Sequence, residues 1–327
     1  MTVESPSPFA RRVPGLRRQP FVPSIPRPSK EEIETFPDQA RELIDRVWSA
    51  QEALPETSKY YLTWIEGKHF LIAGGTGAGL GGCLATSLAH QLSEAGSVTV
   101  VSRDPKRSVE FETGAEMKRR TEESGAGNRF HWINDGIATE GEKFDKIVAA
   151  LREAGADRVI YVNAVAAAHS GLLPDHPPIF VKDVDDEGLF QWELRPLNER
   201  AIETTKLFMG ALAVEFPRAL REAGIEIEAT VFCDWRGSLD GCSRVPSNPE
   251  YGRQGPYSTS LFLPKTIIQK ATADAFKTRQ TVLDVFLPIM KTRALFLIPG
   301  GRLMYLAYSR LMQKAGIRRV EVPELAS

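Results

Sequence analysis

The sequence predicts an α/β fold, a doubly wound parallel sheet in a single domain behind an extended N-terminal arm. Two observations predict it. From Lys68 onward, short apolar runs alternate with longer amphipathic stretches, and the runs are continuous rather than alternating, the mark of strands buried on both faces. The first run also ends in a dense glycine cluster that opens into a helical pattern.

The apolar runs are His69–Ala73, Ser97–Ser102, Arg129–Ile133, Arg158–Val162, Glu226–Phe232 and Thr281–Leu287. Helical stretches are predicted over 80–95, 108–124, 140–154, about 197–223 and 264–278. Right-handed crossovers between such strands give a doubly wound sheet whose ligand crevice lies beyond the strands' carboxyl ends. The residues just after each run are therefore the ones to read for function.

The remaining composition removes other classes. The 327 residues carry 41 Lys plus Arg against 42 Asp plus Glu, a formal net charge of -1, so there is no electrostatic case for nucleic acid or an anionic membrane surface. No stretch is long and apolar enough to span a bilayer, and the first residues lack the apolar core of a secretory signal, so a cytoplasmic protein is expected. Cys83, Cys233 and Cys242 form no CxxC pair and read as reduced thiols. His69, His90, His131, His169 and His176 show no metal-ligand spacing and none sits in a nucleophile elbow, so neither a metal site nor a Ser/His hydrolase is expected.

Residues 1–30 are rich in Pro and Arg, and repeated Pro keeps such an arm extended. Ser29-Lys30-Glu31-Glu32 then opens a helical pattern through Leu43, Ile44, Val47 and Trp48. The chain thus divides into 1–66, arm and N-terminal helix, and 67–327, the main domain. The sequence leaves monomer and homodimer equally open.

After the first strand runs Ala73-Gly74-Gly75-Thr76-Gly77-Ala78-Gly79-Leu80-Gly81-Gly82. Two spacings coexist there: Gly77-x-Gly79-x-x-Gly82 and Gly75-x3-Gly79-x-Gly81. Glycines permit the tight turn and let backbone approach a pyrophosphate, and the next helix N-terminus offers free N–H groups. Strand, glycine turn and helix in that order make a Rossmann-type dinucleotide site, with Gly75, Thr76, Gly77, Gly79, Leu80 and Gly81 as its contacts. The second strand ends in Ser102-Arg103-Asp104. A carboxylate at that tip would hold the ribose hydroxyls of NAD; Ser102 and Arg103 instead suit the 2′-phosphate of NADPH, which is expected over NADH. After the third strand, Asp135 stands either against an adenine or in an Asx-turn. After the fourth, Asn163-Ala164 carries small side chains past the nicotinamide ribose position, and Thr292 near the last strand carries a hydroxyl for either the pyrophosphate or a cap or loop bond.

The chemistry is expected after the fifth strand. A reductase of this fold needs a phenol to donate to a substrate oxygen and an ammonium to hold ribose hydroxyls and lower the phenol pKa. Tyr257 and Lys265 are the candidates, eight positions apart. On a continuous helix, eight steps of about 100° leave the two roughly 80° apart. Pro264 suits a first helical turn, which leaves Tyr257 in the preceding loop and lets the pair converge. Tyr251 is the alternative donor.

These residues resemble the longer trans-2-enoyl-CoA and enoyl-acyl-carrier-protein reductases of the short-chain dehydrogenase superfamily. The resemblance runs from about Gly67 to Pro323, through Phe70–Gly81, Asn134-Asp135, Tyr161–Ala167, Trp192–Pro196, Thr205–Gly210, Tyr257 to Lys265, and Thr292–Pro299. It implies hydride delivery from a reduced nicotinamide to an enoyl thioester carried on coenzyme A or on an acyl carrier protein. Tyr257 would match the family's tyrosine at the thioester oxygen and Lys265 its lysine. The chain departs from the family in having seven rather than eight residues between the two, in replacing a second tyrosine around Asp234-Trp235, and in lacking a counterpart to the family's C-terminal region beyond about Ser327. A ketoreductase with the same pair, or a cofactor-binding partner protein with an altered site, are the other readings.

Overall fold

The six apolar runs become strands of one sheet; the central ones, continuously apolar, are almost wholly buried, whereas Leu283 and Val285 in the last run are exposed. In the computed structural model, which describes residues 10–13, 64–75, 80–103, 114–165, 171–172, 177–185, 188–234, 267–268, 270–275, 277, 280–286, 299–303 and 305–306, these are β2 (His69–Ala73), β3 (Ser97–Val101), β4 (Phe130–Ile133), β5 (Arg158–Asn163), β8 (Glu226–Asp234) and β9 (Val282–Phe286). They lie in the order β4-β3-β2-β5-β8-β9, parallel at every pairing. The chain thus winds outward one way from β2 and then the other way from β5, which puts the reversal of strand order between those two. The expected doubly wound parallel sheet is present.

The helices are α1 (Leu80–Gln91), α2 (Gly114–Glu123), α3 (Gly141–Glu153), α4 (Glu199–Lys206) and α5 (Leu212–Glu222). On α3, Phe144, Ile147, Val148 and Leu151 are buried, one stripe at helical spacing. They pack with Leu71, Tyr161, Phe216 and Leu220 in the largest apolar cluster, where the Phe216 ring meets Tyr161 and Phe144 edge-on with centroids 5.5 and 6.3 Å away. Asn198 caps α4 through its side chain, accepting from Ala201 N–H at 2.8 Å. Between α4 and α5 the helix widens into a π-turn over Leu207–Ala211. Among the described residues no helix is long and apolar enough to cross a membrane.

A second sheet is not foreseen by the apolar runs. It is antiparallel, in the order β1-β7-β6, with β1 at Ala10–Arg12, β6 at Ile179–Asp185 and β7 at Gly188–Leu194. The N-terminal arm supplies β1, and Arg11 grips Glu193 on β7 through Nε and Nη2, each 2.7 Å from Oε2. Arg11 and then Arg195 hold Glu193 below the usual carboxylate range. Asp183 on β6 is buried, yet its carboxylate accepts four hydrogen bonds. Val184 N–H (2.9 Å) and Leu303 N–H (3.2 Å) donate to Oδ1; Trp192 Nε1 (3.0 Å) and Gly300 N–H (2.9 Å) donate to Oδ2. It therefore joins the hairpin to the turn and helix at 299–303, whose first N–H groups would otherwise lack partners.

By internal contacts the chain forms two units, 1–19 with 67–327, and 20–66. Both sheets belong to the first. In the second, Trp64 and Ile65 are helical.

Candidate active site

The reversal between β2 and β5 is where a doubly wound sheet places its ligand crevice, beyond the strands' carboxyl ends, and the backbone there is drawn close. Gly74 N–H donates to Val101 O at 3.0 Å and Ala164 N–H donates to Ala73 O at 2.8 Å, so the pairing continues one residue past each strand. Gly74 has φ +80°, and a Cβ on it would stand 2.7 Å from Ala164 O. One on Gly81 would stand 2.6 Å from Gly74 O and 3.0 Å from the Ala164 Cβ; one on Gly75 would stand 2.9 Å from Val100 Cγ1. No real Cβ tolerates the shorter of these separations, so glycine is required at Gly74 and Gly81 to seat the first turn of α1 on the turn after β2 and the tip of β5. Leu80, half-buried, begins α1 there. The first N–H groups of that helix have no partners within it.

On the β5 side, Asn163 is buried and accepts from Val165 N–H at 3.3 Å through Oδ1. Its side chain braces the turn, and Ala164 presents backbone and a methyl to the crevice. On the β3 side, Ser102 is buried, its N–H donates to Ile133 O at 3.2 Å, and its Oγ has no hydrogen-bond partner among the described residues. Arg103 beside it is exposed and makes no ion pair with the described residues. Its Nε lies 3.8 Å from where a Gly136 Cβ would be, so the guanidinium stem runs toward the turn after β4. In that turn Asp135 Oδ1 accepts from Gly136 N–H at 2.8 Å and from Lys143 Nζ at 2.7 Å. The Lys143 hydrogen bond holds the Asp135 carboxyl below its ordinary range, and Oδ2 takes no partner among the described residues.

The structure therefore brings together Gly75, Leu80, Gly81, Asn163 and Ala164 around the crevice, with Ser102, Arg103 and Asp135 on its β3–β4 flank. Thr76, Gly77, Gly79, Tyr257, Lys265 and Thr292, with the alternative Tyr251, lie outside the described residues. Two residues that sequence reasoning missed stand on the same flank. The Trp132 indole donates to Ser102 O at 3.2 Å and lies directly against Gly114 at the start of α2. The only signal for them is Trp132's place just before Asn134-Asp135. Among the described residues no group of His, Cys, Asp and Glu could hold a metal. Cys233, at the end of β8, has its thiol pushed up to about 11 by burial, which suits a packed thiol rather than a nucleophile.

No family model and no curated protein matches the chain. Solved structures do match in fold. A trans-2-enoyl-CoA reductase of Treponema denticola, solved with NAD, is 16 % identical over 88 % of this chain and 73 % of its own, with a TM-score of 0.60. That of Clostridium acetobutulicum, solved with NADH, is 14 % identical over 79 % of this chain and 68 % of its own, also at 0.60. A short-chain dehydrogenase of Burkholderia cenocepacia J2315, solved with NADP, is 16 % identical over 80 % and 88 %, at 0.51. The resemblance read from the sequence is thus met in three dimensions: the chain has the Rossmann-type fold shared by the trans-2-enoyl-CoA reductases and the short-chain dehydrogenases.

Proposed function

We propose that the protein is an NADPH-dependent oxidoreductase that reduces the C=C bond of an enoyl thioester. The observation that carries the reading is the glycine turn at the reversal of strand order, where Gly74 and Gly81 let the first turn of α1 seat against the turn after β2 and the tip of β5, the arrangement by which such a sheet brings backbone up to a dinucleotide. A dinucleotide fits what the residues offer. The open N-terminus of α1 takes the pyrophosphate, and Asp135 Oδ2 takes the adenine amine. The unpartnered Ser102 Oγ and exposed Arg103 take the 2′-phosphate. Bound, the reduced nicotinamide supplies the hydride.

The substrate assignment is supported by the fold likeness to two trans-2-enoyl-CoA reductases together with the sequence resemblance around Tyr257 and Lys265. In this reading Tyr257 donates its proton toward the thioester oxygen as negative charge gathers there. Lys265 holds the ribose hydroxyls and, by its charge, favours the phenolate. The substrate is an acyl thioester of coenzyme A or of a carrier protein.

NADPH oxidation measured with crotonyl and acetoacetyl thioesters tests it. Oxidation with the crotonyl thioester only is expected, and Tyr257→Phe should lower that turnover by about 10²–10⁴ while leaving cofactor affinity unchanged. Oxidation with the acetoacetyl thioester alone would make the enzyme a carbonyl reductase instead. Near-normal turnover in Tyr257→Phe with collapse in Tyr251→Phe would move the donor to Tyr251.

A further inference from the structure

Trp132 touches both ends of the connection between β3 and α2. It sits on β4 opposite Val100, and its indole reaches forward along the sheet, so that Nε1 donates at 3.2 Å to the O of Ser102, the residue just past β3. The other side of the ring covers Gly114, the first residue of α2, so closely that a methyl there would fall inside the indole. Among the described residues, Ser102 is the last buried one before the connection and Gly114 the first buried one after it. One side chain thus touches the chain on both sides of residues 104–113. Arg103, the residue after Ser102, is exposed. Three residues past Trp132 comes Asp135, whose neighbour Gly136 runs beside the Arg103 stem.

We infer that Trp132 is a positioning residue for cofactor selection. By fixing the Ser102 carbonyl and the start of α2 against one rigid ring, it holds Ser102 and Arg103 where they meet the 2′ position of the adenosine ribose. The inference rests on the cofactor reading above. Its physical basis is the entropy of the Arg103 side chain and of the Ser102–Arg103 backbone that carries it. A guanidinium on an unpinned loop must be ordered when the phosphate arrives, whereas one on a pinned tip is placed beforehand.

The test measures dissociation constants of NADPH and NADH for the full chain and its Trp132→Phe variant, which keeps an apolar ring but loses the Nε1 donor. NADPH affinity should fall about three- to tenfold, the worth of one hydrogen bond and the order it imposes, with NADH affinity within about twofold. In an Arg103→Ala background the Trp132→Phe change should no longer alter the ratio, because the residue acts through Arg103. Gly114→Ala, which displaces the indole without removing it, should reproduce the Trp132→Phe result. This keeps the test open if Trp132→Phe does not fold. In the wild type, adenosine 2′,5′-bisphosphate should change the tryptophan emission, and that change should vanish in Trp132→Phe. Equal losses for both cofactors, or an unchanged ratio in both variants, would overturn this inference alone. A wild type that binds neither cofactor, or shows no preference for NADPH, would overturn the cofactor reading and this inference with it.

Discussion

At the amino ends of β2, β5 and β8, charged and polar side chains meet across the strands. Lys68 Nζ lies 2.7 Å from Glu228 Oε1, Arg158 Nε lies 3.1 Å from Glu226 and 3.4 Å from Glu228, and His69 Nδ1 pairs with Ser97 Oγ at 2.8 Å. A bulge in the β5–β8 register, between Val159 and Ile160, leaves Glu228 without an opposite residue, and its carboxylate serves two cations. At the carboxyl ends of β2 and β5 the positions corresponding to these are Gly74, Gly75 and Ala164, and contact is backbone to backbone. Side chains consume one another at one end of the sheet. At the other they are withdrawn, and the Ser102 hydroxyl has no partner among the described residues. A parallel sheet places all strand carboxyl ends on one edge, so this division of labour is a product of topology.

The largest expected effect separates the two ends directly. Gly81→Ala and Gly96→Ala insert the same methyl, the first 2.6 Å from Gly74 O at the crevice and the second 2.7 Å from Lys68 O at the opposite end. Each should cost about 1–3 kcal/mol of stability through overpacking. Gly81→Ala should in addition weaken NADPH binding by about ten- to a hundredfold, since α1 must move away from the turn that it seats. Titration of each variant with NADPH, beside thermal melts, decides it. Equal binding losses in both would erase the contrast between the ends.

A smaller effect belongs to the amino end alone. Burial lowers the pKa of His69 against the pull of Asp157. Burial and then Lys118 lower that of His131, with Glu153 opposing. A histidine whose folded pKa lies below its unfolded value of 6.5 loses stability as pH falls, because the unfolded chain takes up the proton first. Urea midpoints should therefore decline as pH drops below about 6.5, and His131→Gln should flatten that decline. Cofactor affinity over the same window should not track it. Asp135, with its pKa lowered by Lys143, loses its contribution only on further acidification, once pH falls below the ordinary carboxylate range and through its depressed value.

The smallest concerns the middle of the sheet, between the two ends. The Tyr161 hydroxyl is fully buried with no partner among the described residues, and burial drives its pKa far upward. Tyr161→Phe keeps the contact with Phe216 and removes an unsatisfied group. It should leave stability unchanged or raise it by up to about 1 kcal/mol, read as a small rise in melting temperature with unchanged NADPH affinity.

How much of this was legible in the sequence depends on the range of each signal. The six parallel strands are local: Phe70-Leu71-Ile72-Ala73 or Val98-Thr99-Val100-Val101 declares burial within five residues, and the glycine turn comes at once. The hairpin is not local. Ile179-Phe180-Val181-Lys182-Asp183 breaks its apolar run with an acid whose burial makes sense only once Gly300 and Leu303, more than a hundred residues on, supply donors. β1 is three residues long within a Pro/Arg arm and takes its strand conformation from β7. In the candidate site, Gly81 and Ser102-Arg103 were readable because a parallel topology delivers the residues after each strand to the crevice. Trp132 was not, because its part depends on Gly114 arriving beneath it from the far side of a loop.

The Asp183 carboxylate also sets an order on biosynthesis. A ribosome delivers the hairpin long before it delivers Gly300, so for that interval the acid holds only the donors of its own hairpin, Val184 N–H and Trp192 Nε1. A charge cannot be sealed away from water half-compensated without a penalty of several kcal/mol. The nascent hairpin must therefore remain loosely attached, with Asp183 hydrated, until the 299–303 segment emerges and drives out the water. The final tightening of the antiparallel sheet is in this way reserved for a chain synthesised past residue 303.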